Sequence, residues 1–169
     1  MRTAAATLQK FAESAEAVAR TSKRNEKIRL IGELLTSLEL SDASLAAQYL
    51  TGRAFPQHEE RVAGVGGMSL MRAVAKALGR EGEDLGKTYR KHGDLGDMAE
   101  ELFRESHKRG DLTLKDLAKL FADLSAARSQ MGKDKLLQNA FARSGAADIK
   151  YIVKILTGDL RIGSKESLV

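Results

Sequence analysis

Two glycine-containing loops hold the residues whose types and spacing could do chemistry. The second loop contains Arg161, Gly163, Ser164 and Lys165, so two cations flank a glycine. A glycine lets a ligand approach the backbone closely, and free N–H groups at the start of a helix attract phosphate. Ser164 is expected to cap a helix that follows the loop. This segment is therefore predicted to bind a phosphate-bearing ligand.

The first loop has the sequence Gly64-Val65-Gly66-Gly67. It resembles the hairpin loop of helix-hairpin-helix DNA-binding units, which offers backbone N–H groups to phosphates without reading base sequence. A turn between two helices that uses three glycines explains the loop equally well when it is taken alone. No Gly-Lys-Ser or Gly-Lys-Thr follows, so the loop does not predict ATP binding.

Two basic clusters accompany the loops. The first cluster precedes the second predicted helix and contains Arg20, Lys23, Arg24 and Lys27. The second cluster contains Arg128, Lys133 and Lys135. Solvated surface cations explain either cluster as well as DNA binding does. The net charge of +5 suits a polyanionic partner but does not identify one.

Composition excludes several kinds of site. The 169 residues contain no cysteine, which removes disulfides and thiol nucleophiles. His58, His92 and His107 are too scattered for a metal site, and no Ser-His-Asp set or paired buried carboxylates can be assembled. We therefore predict no catalytic residue, metal or cofactor in this chain. No apolar run reaches the roughly 20 residues that span a bilayer, so we expect no membrane contact and a cytoplasmic location.

The positioning elements are predicted to be helices throughout. One proline and many alanines and leucines favour an all-α fold of about ten helices in one domain, residues 1–169. Thr113 and Asp116 form a capping-box variant before one of these helices. Before Gly158, apolar residues recur at helical spacing, and Lys150 and Lys154 are expected to face solvent.

Two segments of the chain also have similar sequences. An offset of 108 places Lys27 on Lys135, and Leu50-Thr51-Gly52 matches Leu156-Thr157-Gly158 after a two-residue deletion. Duplication or chance similarity between leucine-rich helices could produce this match. Duplication would give two halves, roughly 1–92 and 93–169, related by a pseudo-twofold axis.

Five motifs in order resemble the N-terminal DNA-binding domain of ATP-dependent DNA ligases. The motifs are Gly64-Val-Gly66 leading to Ala73-Val-Ala75, Gly93-Asp-Leu-Gly96, Lys133-Asp-Lys135-Leu-Leu137, Tyr151-Ile-Val153 and Gly158-Asp-Leu-Arg-Ile-Gly163. Each motif is loose by itself, but five in the expected order are specific. The resemblance runs along nearly the whole chain.

The resemblance implies an all-helical, pseudo-twofold domain that grips nicked double-stranded DNA across the minor groove. It also implies downstream adenylation and OB-fold domains, with ATP and Mg²⁺ used by the parent ligase. The residues expected to contact DNA are Lys23, Arg24, Gly66, Gly67, Lys133, Arg161, Gly163, Ser164 and Lys165. The adenylation motif K-x-D-G does not occur here, so the 169 residues alone are expected to be inactive. The alternative is a helical protein-interaction domain with no nucleic-acid role.

Overall fold

The computed structural model describes residues 4–80, 82–106, 108–164 and 166–169. Within these ranges the chain forms nine α-helices and no strand, which confirms the all-α prediction with one helix fewer than expected. The helices are α1 Leu8–Arg20, α2 Arg24–Thr36, α3 Leu40–Leu50, α4 Gly67–Leu78, α5 Gly82–His92, α6 Leu95–Phe103, α7 Leu114–Ala126, α8 Gln130–Ala142 and α9 Ala146–Thr157. Short 3-10 helices cover Arg104–Ser106 and Glu166–Leu168. None of the described helices has the length and apolar character needed to cross a membrane.

Helices α1 and α7 begin with equivalent caps. The Thr7 hydroxyl accepts a hydrogen bond from the Lys10 N–H. The Thr113 hydroxyl accepts from the Asp116 N–H, and the Asp116 carboxylate accepts from the Thr113 N–H. The capping box predicted at Thr113 is confirmed. Caps of this kind typically stabilise a helix by about 1 kcal/mol.

Aromatic rings join α1, α3, α7 and α9 in one core. Phe11 packs edge-to-face against Tyr49 at 6.1 Å and against Tyr151 at 6.0 Å between ring centroids. Tyr49 in turn meets Phe121 at 5.7 Å. All four residues are almost fully buried. Such pairs add about 0.5–1.5 kcal/mol each beyond area burial, so this cluster ties the two ends of the chain together.

Two sets of three helices share one spacing. Helices α7, α8 and α9 each begin 106 positions after α1, α2 and α3. Thr7 and Thr113 pair in an isolated antiparallel bridge, in which Leu8 N donates to Leu112 O and Leu114 N donates to Ala6 O. We infer that α1–α3 and α7–α9 are copies related by an approximate twofold axis through this bridge.

The observed spacing corrects the residue pairing that the sequence indicates. The offset is 106 throughout these helices, with no deletion, so Lys27 corresponds to Lys133 and not to Lys135. Gly52 and Gly158, which follow the ends of α3 and α9, then correspond, and a Cβ built on Gly52 would lie 3.1 Å from the Gly158 carbonyl oxygen. We infer that the second copy begins after the 3-10 helix Arg104–Ser106, because α4 to α6 separate the two sets.

Candidate nucleic-acid interface

Three glycine turns lie next to one another on the surface. We call residues 63–67 hairpin A, residues 93–96 the Gly93 turn and residues 158–164 hairpin B. A Cβ built on Gly67 would lie 3.3 Å from Leu95 Cδ1, so hairpin A meets the Gly93 turn. On its other side, Arg161 Nη1 donates to Gly93 O at 3.3 Å, so hairpin B meets the same turn. The two loops singled out by sequence are therefore neighbours with the Gly93 turn between them.

Hairpin A leads directly into α4. Gly66 is the N-cap of α4, carries no capping side chain, and the first turn contains no acidic residue. The N–H groups of a first helical turn have no acceptor within the helix. Gly66, Gly67 and Met68 are exposed, so these N–H groups are open to an external acceptor.

Gly66 is a glycine that the fold does not require. Its φ of −85° suits any residue. A Cβ built on it would meet nothing within 4 Å. Gly64 differs, because its φ of +65° lies in the left-handed region that favours glycine. Neither backbone conformation nor packing against the described residues therefore accounts for a glycine at position 66.

Lys133 lies beneath hairpin A. Its ammonium donates to Gly64 O at 2.8 Å and to Ala63 O at 3.3 Å. The sequence predicts a DNA contact at this residue. The structure places its ammonium on the carbonyls of hairpin A, where it holds the loop.

Hairpin B follows the end of α9. Gly158 ends the helix with a φ of +75°, and Arg161 and Gly163 also have positive φ values of +52° and +67°. The Arg161 guanidinium donates to Asp159 Oδ2 at 2.8 Å, yet its side chain remains 55% exposed. Exposure leaves this cation accessible to a ligand.

Among the described residues, no backbone N–H donates a capping hydrogen bond to the Ser164 hydroxyl. This hydroxyl donates to Leu50 O at 3.2 Å, which ties hairpin B to the end of α3. The expected C-terminal helix start is instead the three-residue 3-10 helix Glu166–Leu168. Lys165, also predicted to contact DNA, lies outside the described residues.

Lys27 holds hairpin B as Lys133 holds hairpin A. Its ammonium donates to Ile162 O at 2.5 Å and to Val18 O at 3.1 Å, and the residue is only 8% exposed. The sequence places Lys27 in a cluster of cations that either are solvated or bind DNA, and its burial fits neither interpretation. Its spacing from the buried residues Ile31 and Leu34 places it on the inward stripe of α2, and that signal could have found it.

Lys23 and Arg24 mark the start of α2. Lys23 is the N-cap of the helix, and both residues are exposed. Arg24 lies three residues before Lys27, a separation that places two side chains on the same side of a helix. Because Lys27 contacts hairpin B, the start of α2 borders hairpin B.

Asp94 connects the Gly93 turn to both α9 and hairpin B. It caps α6 by accepting from the Asp97 N–H at 2.8 Å, lies 3.0 Å from the Lys154 ammonium, and is 3.6 Å from Arg161 Nε. Burial alone would raise the pKa of Asp94. The Asp97 N–H and the two cations more than offset burial, so its pKa is below its usual value.

The prediction that Lys150 and Lys154 face solvent was wrong. Lys154 is 3% exposed, and the Lys150 ammonium lies 2.6 Å from Glu16 and 3.0 Å from Glu100. Burial alone would lower the pKa of Lys150, but these carboxylates raise it above its usual value. The acidic side of α6 therefore covers the basic side of α9.

Gly96 makes this helix contact possible. A Cβ built on Gly96 would lie 2.6 Å from Lys154 Cγ and 2.8 Å from Lys150 O. Contacts under 3.0 Å require something to move. Asp94 and Gly96 are thus positioning residues. The sequence predicts a turn with a helix cap at residues 93–97, which the Asp94 cap confirms, but it does not predict the contact of this segment with α9.

Comparisons with known proteins identify the family of the chain. A family model described as DNA ligase N terminus matches residues 7–169. A probable DNA ligase of Koribacter versatilis is 39% identical over 163 residues, which cover 96% of this chain and 28% of that protein. A probable DNA ligase of Opitutus terrae is 33% identical over 194 residues, covering 95% of this chain and 19% of that protein. DNA ligase 1 of Methanosarcina mazei is 30% identical over 158 residues, which cover 92% of this chain and 27% of that protein. The chain therefore spans less than a third of the length of these relatives.

Proposed function

Because the chain belongs to the DNA ligase N-terminal family, we propose that it is the domain with which an ATP-dependent DNA ligase grips nicked duplex DNA. The observation that carries the proposal is hairpin A, where Gly66 is required neither by its φ nor by packing. A close approach to a phosphate supplies the missing reason for a glycine. Hairpin B, on the other side of the Gly93 turn, supplies a second site with an exposed cation.

The proposed contacts are to phosphates. Backbone N–H groups at Gly66, Gly67 and Gly163 and the cations of Lys23, Arg24, Arg161 and Lys165 would meet the DNA backbone. Ser164 borders this surface, and Lys133 acts on it from beneath. Contacts of this kind fix position on a duplex without reading bases, so the domain should bind different sequences alike.

The remaining steps of ligation are assigned to other domains of the same protein. We propose that adenylation and OB-fold domains of the parent ligase supply the nucleophilic lysine and use ATP and Mg²⁺. The motif K-x-D-G that provides that lysine does not occur in these 169 residues. This chain would bind and hold the nicked duplex.

Two arginine substitutions test the proposed surface. Arg24→Ala and Arg161→Ala should each weaken binding to a nicked duplex uniformly across sequences and lower the salt slope of log K by about one. Fluorescence anisotropy at several salt concentrations measures both quantities. Thermal melting monitors the fold, which should be retained because both residues are exposed.

A matched control is present on the same helix. Arg29 is 52% exposed and, like Arg161, is paired with carboxylates, those of Glu26 and Glu33. It differs in position, because it lies two residues after Lys27, a separation at which two side chains do not share a side of a helix. Arg29→Ala should therefore leave affinity and salt slope nearly unchanged. Unaltered binding in both test variants, with melting preserved, would contradict the proposed surface. Binding to a protein partner without salt dependence would instead favour a helical interaction domain.

A further inference from the structure

Two lysines at equivalent positions each contact a hairpin that follows the other set of helices. Lys27 of α2 donates to Ile162 O in hairpin B, which follows α9. Lys133 of α8 donates to Gly64 O in hairpin A, which follows α3. The two lysines occupy equivalent places, 106 positions apart. Each set of helices thus holds the hairpin of the other set.

Each ammonium lies directly behind a left-handed glycine. A Cβ built on Gly163 would lie 2.7 Å from the Lys27 ammonium nitrogen, and one built on Gly64 would lie 2.5 Å from that of Lys133. Both glycines have positive φ, +67° and +65°. In each hairpin a lysine ammonium therefore lies beside a glycine of positive φ.

The charge on Lys27 is buried among backbone carbonyls. The side chain is more than nine-tenths buried, and its hydrogen bonds go to the carbonyls of Val18 and Ile162. Among the described residues, no carboxylate lies within ion-pair distance of its ammonium. Buried charges are ordinarily paired, because a lone one is costly. The field of this cation extends into hairpin B and favours an anion on its outer side.

We propose that Lys27 and Lys133 each hold the hairpin of the other helix set in the shape that binds phosphate. We call these two lysines the clamps. The inference rests on the proposed function for its ligand, a DNA phosphate. The two lysines are positioning residues, since each acts through a hairpin backbone and Lys27 is too buried to reach DNA. Because each clamp spans the two helix sets, it also fixes the distance between the two phosphate sites.

Backbone order in the free protein tests the clamps without DNA. Lys27→Met keeps a side chain of similar length and removes the donors and the charge. In ¹⁵N relaxation, order parameters for residues 161–164 should fall from about 0.85, typical of rigid backbone, to below about 0.6. Residues 63–66 should remain ordered. Lys133→Met should give the opposite pattern.

DNA binding provides the second readout. Each clamp variant should weaken binding to a nicked duplex by about tenfold, the loss expected for one hydrogen bond to a charged group. Lys119→Met is the control. Lys119 is an exposed lysine of α7 paired with Asp123, and its substitution removes the same charge as each clamp variant does. It should change affinity by less than about twofold.

The outcomes separate the clamps from the proposed function. If the wild-type protein fails to bind DNA, the proposed function fails while the relaxation data still decide whether the clamps exist. The proposal is wrong if backbone order is unchanged in both hairpins. It is also wrong if each variant lowers the order of both hairpins equally. If Lys27→Met does not fold, Lys133→Met carries the same test, because Lys133 is only partly buried.

Discussion

Replacing Asp94 by alanine should lower the free energy of unfolding by about 3–5 kcal/mol, the usual loss when one partner of a buried ion pair is removed. The carboxylate lies 3.0 Å from the Lys154 ammonium, and Lys154 is 3% exposed. Its removal leaves that cation with Asp97 alone, at 3.3 Å, and uncaps α6. Urea denaturation followed by circular dichroism measures the change.

An exposed pair provides the control for Asp94. Asp123→Ala removes the partner of Lys119, and both side chains of that pair are largely exposed. Such pairs contribute about 0–1 kcal/mol, so this variant should unfold close to wild type. Equal destabilisation by Asp94→Ala and Asp123→Ala would contradict the structural role given to Asp94.

The effect of Asp94→Ala should also depend on pH. Because the pKa of Asp94 is lowered in the folded state, its stabilisation is present above its unfolded pKa of about 3.9. It is lost as pH falls through the lower folded value. The stability difference between wild type and variant should therefore shrink below about pH 4. A difference that stays constant down to pH 2 would show that the carboxylate charge is not responsible.

Gly66→Val should weaken binding to nicked duplex DNA by at least about tenfold, which corresponds to about 1.4 kcal/mol. The branched side chain would project from the N-cap of α4, where first-turn N–H groups are open to a phosphate. Nothing lies within 4 Å of the new Cβ, so the fold should tolerate it. Anisotropy titrations measure affinity, and thermal melting confirms folding.

Gly32 is the matched control for Gly66. It also has nothing within 4 Å of a built Cβ, but it lies inside α2, where backbone N–H groups are bonded within the helix and cannot receive a phosphate. Gly32→Val should bind DNA like wild type. If Gly66→Val also binds like wild type, hairpin A does not receive a phosphate at Gly66.

Local features of this fold were predictable because their causes are local. The capping box at Thr113 needs only two residues three positions apart, and the helix end at Gly158 needs only a left-handed glycine. The two glycine hairpins could be found for the same reason. The sequence also predicts a repeat at an offset of 108, whereas the starts of the two sets of helices lie 106 positions apart.

The burial of Lys150 and Lys154 was not predictable from local pattern. Lys150 and Lys154 lie on the polar side of α9, and their exposure was decided by whether another helix covers that side. Gly96 lets α6 approach closely, and α6 brings Asp94 and further carboxylates to the contact. A lysine facing such a helix is buried and paired, whereas the same lysine facing water is not.

The salt dependence of binding tests the central claim most directly. The wild-type domain should be titrated onto nicked duplexes of several unrelated sequences between about 50 and 200 mM salt. If the two hairpins and the start of α2 engage about four phosphates, log K should fall by about 3.6 per tenfold rise in salt, equally for every sequence. The absence of binding at low salt, a slope near zero, or a sequence preference above about 100-fold would contradict a phosphate-gripping surface.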